Sequence, residues 1–199
     1  MKKIFITFFI LISVSTYSFD LYQEVGKGPV VVPVYDQQKK LTSVRGTMLM
    51  NIPYEFIWEA ITDIASYKEF YPRMIKSNVK KTENNGKTII ADFEIEVPIF
   101  NNTIYANKYL INQEKGIVDI YQHSGQLEGS HFHWSIQKKD HGYTWVSYNG
   151  ISKNYSPIIE KIDDKDQAIA LTINLTTIVT TLRQVDERAR FLQKKKAVK

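Results

Sequence analysis

This sequence predicts an α+β fold, with helices packed on an antiparallel sheet, and three observations predict it. A β-branched, extended run from Leu41 to Met50 leads into the helical stretch Asn51 to Val79. Segments of alternating apolar and polar residues follow, separated by short turns. Then comes a long run of apolar residues at helical spacing, Ala168 to Leu192. No internal repeat or low-complexity segment interrupts this order.

Taken in order, residues 1–18 read as an export signal. Lys2 and Lys3 form the charged start, Ile4 to Val14 is apolar, and Thr16 and Ser18 are small residues of the kind that direct cleavage. The apolar run is shorter than the roughly 20 residues that span a bilayer. A retained N-terminal anchor is the competing reading. Residues 19–40 carry Gly26, Gly28, Pro29 and Pro33 around Val30 to Val34, which reads as an extended arm or an added edge strand. The domain proper is expected over 41–193, with a basic tail over 194–199 that holds Lys194, Lys195 and Lys196.

In the stretch 51–79, Tyr54, Ile57, Ile61 and Ile64 fall on one helical stripe, widened by Trp58 and Ala65. Pro53 suits the first helical position, where a missing N–H costs nothing. Asp63, Ser66 and Pro72 break the run, because Pro72 disfavours a helical Tyr71. A short helix, a kink and a second helical turn are therefore expected, leading into a strand. Asn84, Asn85 and Gly86 signal a hairpin turn. Beyond it, Ile89, Ala91, Phe93, Ile95 and Val97 face one way, opposite Thr88, Ile90, Asp92, Glu94 and Glu96. Strands follow over 103–113, 117–121, 127–137 and 143–152. The last element has apolar residues at Ala168, Leu171, Leu175, Ile178, Leu182, Val185, Ala189 and Leu192. The β-branched content of Thr172 to Thr181 pulls toward a strand, but periodicity and length favour a helix. At about 1.5 Å per residue it makes a rod of roughly 42 Å.

The strand ending in NIPYEFIWEAITDIASYKEFYPRM resembles the opening of the START-like (SRPBCC, helix-grip) superfamily, carried by Pro53, Trp58, Asp63, Tyr67, Phe70 and Pro72. It is most similar to the coenzyme Q-binding, polyketide cyclase/dehydrase branch. The order of six strands and one long helix is similar too, over roughly 41–191. The resemblance implies a curved antiparallel sheet wrapped around a long C-terminal helix. It rests on packing residues, so it speaks to fold more than to activity.

Composition narrows the chemistry. There is no cysteine, which removes disulfides, thiolate nucleophiles and cysteine-ligated metals. The formal charge of +5, part of it on Lys2 and Lys3, is too small to argue for nucleic acid. On a strand, His131 and His133 point the same way, as two metal ligands do, but Phe132, Trp134 and Ile136 form the apolar face, so the histidines are expected in solvent. Asp92, Glu94 and Glu96 share a face opposite the apolar one and read as solvated charge rather than an acid–base pair. Asp63 reads as a turn and capping residue. No nucleophile elbow, phosphate loop or HExxH motif occurs. No catalytic residue, metal or cofactor is expected.

The resemblance implies an apolar cavity between sheet and helix. Candidate lining residues are Phe93, Ile95, Val97, Tyr105, Tyr109, Phe132, Trp134, Val146, Tyr148, Leu171 and Leu175, and their tyrosine hydroxyls suit a ligand's polar head. The expected function is an exported, periplasmic or secreted monomer that binds or transports a lipid, quinone or similar hydrophobic molecule, with transient membrane contact. Two alternatives stand: a cyclase- or dehydratase-like enzyme on the same fold, and a protein-interaction module of the ribosome-associated toxin type if the signal is not used.

Overall fold

The computed structural model describes residues 25–39, 41–96, 101–125, 128–151 and 167–198. The export segment, Val97, the start of the strand expected from Leu127, and Asp163 to Asp166 lie outside them. The chain runs β1 (Val30–Tyr35), β2 (Leu41–Met50), α1 (Tyr54–Thr62), α2 (Tyr67–Phe70), β3 (Met74–Glu83), β4 (Thr88–Ile95), β5 (Thr103–Asn112), β6 (Ile117–Gly125), β7 (His131–Lys138), β8 (Thr144–Ile151) and α3 (Gln167–Ala197). All eight strands form one antiparallel sheet in the order β1-β2-β8-β7-β6-β5-β4-β3.

Strands β3 to β8 form a meander, because each is joined to the next by a turn short enough for antiparallel neighbours. At the first of these turns Asn84, Asn85 and Gly86 all take positive φ, which asparagine and glycine tolerate best. Among the described strands only β2 pairs across a long sequence distance, with Thr47 opposite Ser147. The helices between β2 and β3 carry the chain to the far edge. Of the two readings open for the arm, its 30–35 segment is an added edge strand, with Val31 opposite Gly46.

Helix α1 starts one residue later than expected. Pro53 is extended (φ −57°, ψ 142°) and serves as the cap rather than the first helical residue. Phe56, Ile57, Trp58, Ala60 and Ile61 are buried, a wider face than the predicted stripe, because α1 meets both α3 and β7. Ala65 is exposed instead of buried: it falls in the tighter 3₁₀ turn Ile64–Ser66, where the period shortens and rotates it outward. Tyr71 is extended (ψ 127°), as the following proline requires, and ends α2.

Helix α3 wins over the β-branched content of its first half. Its stripe Ile178, Leu182, Val185, Ala189 and Leu192 is buried, whereas Leu171 and Leu175 are only partly so. The helix packs on α1 and on β1, β2 and β8. Gly46 on β2 permits this approach, since a Cβ there would run into Ile178 Cγ2 and Leu182 Cδ1. The buried cluster runs from α1, β2 and α3 across to Phe93, Tyr105, Tyr109, Phe132 and Trp134 on the later strands.

Candidate ligand cavity

Between the concave face and α3 lies a cavity of about 450 Å³, open on one side at the exposed Thr176 and Thr177. Its walls follow from strand alternation. Phe93 and Ile95 come from β4, Tyr105, Asn107 and Tyr109 from β5, Ile120 and Gln122 from β6, Phe132 and Trp134 from β7, and Tyr148 from β8. Tyr67, Tyr71, Pro72 and Met74 close one side. Helix α3 contributes Ile173, Thr176, Thr177, Thr180 and Thr181.

Seven of the eleven residues expected from sequence therefore come together around one space: Phe93, Ile95, Tyr105, Tyr109, Phe132, Trp134 and Tyr148. Three others do not. Val146 is wholly buried in the packed core, and Leu171 and Leu175 pack against that core instead of the cavity. The reason is the same for both leucines. Helix α3 turns its stripe to α1 and, through Ile178 and Leu182, to Gly46 of β2, and its neighbouring threonine-rich face lines the cavity. Val97 lies outside the described residues. Sequence reasoning missed the threonines, Asn107, Gln122, Tyr67 and Tyr71. Residues 173, 177, 180 and 181 form a second stripe at helical spacing, and Asn107 sits between two inward tyrosines, so both signals were present in the pattern.

Eight aromatic rings stand in the lining, from Tyr67, Tyr71, Phe93, Tyr105, Tyr109, Phe132, Trp134 and Tyr148. Phe93 stacks on Tyr105 (centroids 5.3 Å apart), and Tyr148 lies between Phe132 (5.6 Å) and Trp134 (4.1 Å). Tyr67 donates its hydroxyl to the Ile61 carbonyl, and Asn107 Nδ2 donates to the Tyr109 hydroxyl at 3.2 Å. Burial, and then repulsion among neighbouring phenolates, pushes Tyr67 and Tyr148 well above the ordinary phenol value, and burial does so for Tyr109 against the opposing hydrogen bond from Asn107. Burial does the same to Tyr105. Among the described residues no Asp, Glu, Lys, Arg or His lines the space.

One charge cluster braces this wall from outside. Arg188 of α3 reaches Glu69 at 3.1 Å and Asp63 at 3.7 Å, and its guanidinium lies over Phe70 and Phe191. It ties α3 to the α1–α2 corner that carries Tyr67 and Tyr71. Asp63, expected as a turn residue, does end α1, its N–H donating to Glu59 O at 2.8 Å, and in addition faces this arginine.

The other predicted clusters sit on the opposite face of the sheet. His133 Nδ1 lies 2.7 Å from Asp119 Oδ1 and His131 Nε2 lies 3.4 Å from the same oxygen, with Tyr121 stacked on His131. Asp119 was not anticipated as their partner. Among the described residues no group of three such side chains is arranged to hold a metal ion. Asp92 pairs with Lys80 at 3.3 Å and Glu94 accepts from Asn102 at 2.7 Å, both away from the cavity.

A curved antiparallel sheet gripping a long helix over an apolar cavity defines a class: this chain has the START-like, helix-grip fold. No protein-family model and no curated protein matches the chain. Solved structures do. Human STARD10 is 12% identical and aligns with a TM-score of 0.63 over 85% of this chain and 72% of its own. A START superfamily protein from Mycobacterium smegmatis is 12% identical, with a TM-score of 0.59 over 76% of this chain and 99% of its own. The Zhui aromatase/cyclase from Streptomyces sp. R1128 is 14% identical, with a TM-score of 0.57 over 74% and 93%. At such identities the likeness is one of fold.

Proposed function

We propose that this protein binds or carries a hydrophobic small molecule, such as a lipid or quinone, outside the cytoplasm. The observation that carries the reading is the cavity: about 450 Å³, walled by aromatic rings and uncharged polar groups. Each buried CH₂ contributes about 0.8 kcal/mol, so an alkyl or prenyl chain supplies substantial affinity without any reaction. A cyclase- or dehydratase-like reading needs a group that exchanges a proton near neutral pH, and the tyrosines here are held away from that range. The ribosome-associated reading applies only if the leader is unused.

Native mass spectrometry of the purified protein, with extraction of bound molecules, tests the reading directly. Thr181→Trp is expected to abolish uptake of a fluorescent fatty acid while leaving the melting temperature nearly unchanged, because the indole enters open volume. Were the space a tightly packed core, the same change would instead destabilise by about 1–3 kcal/mol. A wild-type protein that takes up no fatty acid or quinone analogue, and from which nothing is extracted, contradicts the reading.

Export is proposed on the charged start, the short apolar run and the small residues near Ser18. N-terminal sequencing of the protein from its host is expected to begin near Phe19. An intact Met1 in the cytoplasmic fraction would overturn this and favour the interaction-module alternative. The monomeric state and the transient membrane contact are proposed with it, as the simplest way to load and unload such a ligand.

A further inference from the structure

We infer that the cavity contains a polar subsite, made by Asn107 and Gln122, that takes a hydrogen-bond donor of an uncharged ligand, a hydroxyl or an N–H. This inference rests on the ligand-binding reading above and names the chemistry of the ligand's head.

Asn107 on β5 and Gln122 on β6 are cross-strand partners, directly opposite each other on the concave face. Each is only 6% exposed, and both line the cavity. Among the described residues, Asn107 Oδ1 and Gln122 Oε1 are both buried without a hydrogen-bond partner. The Asn107 amide is oriented by its Nδ2, which donates to the Tyr109 hydroxyl. The Gln122 backbone is held by the Gly129–Ser130 segment, its N–H donating to Ser130 O and its carbonyl accepting from Gly129 N–H, each at 3.0 Å. A bulge lies immediately beside the pair: Ala106 faces Ser124 but Asn107 faces Gln122, which leaves His123 as the extra residue. Bulges of this kind re-aim side chains at functional sites.

Two buried carbonyl oxygens on cross-strand partners are costly to leave unmet, and a ligand that supplies a donor removes that cost. A carboxylate or phosphate head would bring negative charge against the same two oxygens, with no Lys, Arg or His among the described lining residues to offset it. An ammonium head would be desolvated with no carboxylate among the described lining residues beside it. A neutral donor remains.

The test compares 1-decanol, decyl methyl ether and decanoate by competition against N-phenyl-1-naphthylamine, with calorimetric titration as a second readout. Wild-type protein is expected to bind decanol at least about tenfold more tightly than the ether or decanoate. In Asn107→Leu/Gln122→Leu the preference over the ether is expected to vanish while the ether binds at least as well as before. Gln122→Met, nearly the same shape without the acceptor, is expected to lose part of the preference and serves if the double variant does not fold. Equal binding of alcohol and ether by wild type, or a preference kept intact in a folded variant, would overturn the subsite alone. Failure of all three compounds to bind would overturn the cavity reading itself, and the subsite with it.

Discussion

Raising the pH past about 11 is expected to unfold this protein in one steep step, well before an ordinary tyrosine-containing surface would register more than phenol ionisation. Tyr67, Tyr105, Tyr109 and Tyr148 are each at most 7% exposed. Their phenols are pushed up from 10.0, by burial in every case and further by neighbouring phenolates in three. The folded value exceeds the unfolded one, so the folded state holds protons that the unfolded state has already released. That stabilisation is whole below about pH 10 and is lost as the pH rises from there toward the folded values. Each group contributes about 1.4 kcal/mol per pH unit in that window, so four contribute about 5 kcal/mol per unit. A domain has only about 5–15 kcal/mol to lose. Absorbance at 295 nm and far-ultraviolet circular dichroism, followed together, check this. The buried phenols should ionise only as the dichroism collapses. Four tyrosines ionising near pH 10 with the fold intact would show that they are not enclosed.

Trp134→Ala is expected to cost about 3–5 kcal/mol, the range for truncating a buried large aromatic. Trp134 is 1% exposed and its ring lies 4.1 Å from that of Tyr148, a stack that adds to the loss. His131→Ala, three residues earlier on the same strand and on the other face, should change stability by no more than about 0.5 kcal/mol, since its side chain is 49% exposed. Denaturant titration of the two variants measures the difference between the faces of β7. Equal costs would mean that the concave face is not the buried one.

The contrast between those two residues shows what was legible. Strand alternation is a backbone property with period two, so once Phe132, Trp134 and Ile136 are recognised as one face, the histidines must occupy the other. The same rule delivered Phe93, Ile95, Tyr105, Tyr109 and Tyr148 to the cavity wall. The rule reads phase, and a polar residue in phase with tyrosines, such as Asn107, is easily passed over because type and position disagree. Asp119 as partner of both histidines was out of reach, because pairing of β6 with β7 is settled by register and not by either strand alone.

Helix α3 marks the limit. Its period, read from Ala168 to Leu192, determined that a long amphipathic helix would form and which residues would be its apolar stripe. It did not determine which surface that stripe would meet. Leu171 and Leu175 were expected over the cavity, yet the stripe packs on α1 and β2, where Gly46 lets the helix approach. The threonine face was left toward the cavity as a consequence. By itself the sequence determined the elements, their order and the inward face of each strand, because local periodicity is set by backbone geometry. Which face of α3 would meet α1 and β2 and which would line the cavity was decided only in the tertiary structure, because a helix's period fixes its stripe but not the surface on which that stripe packs.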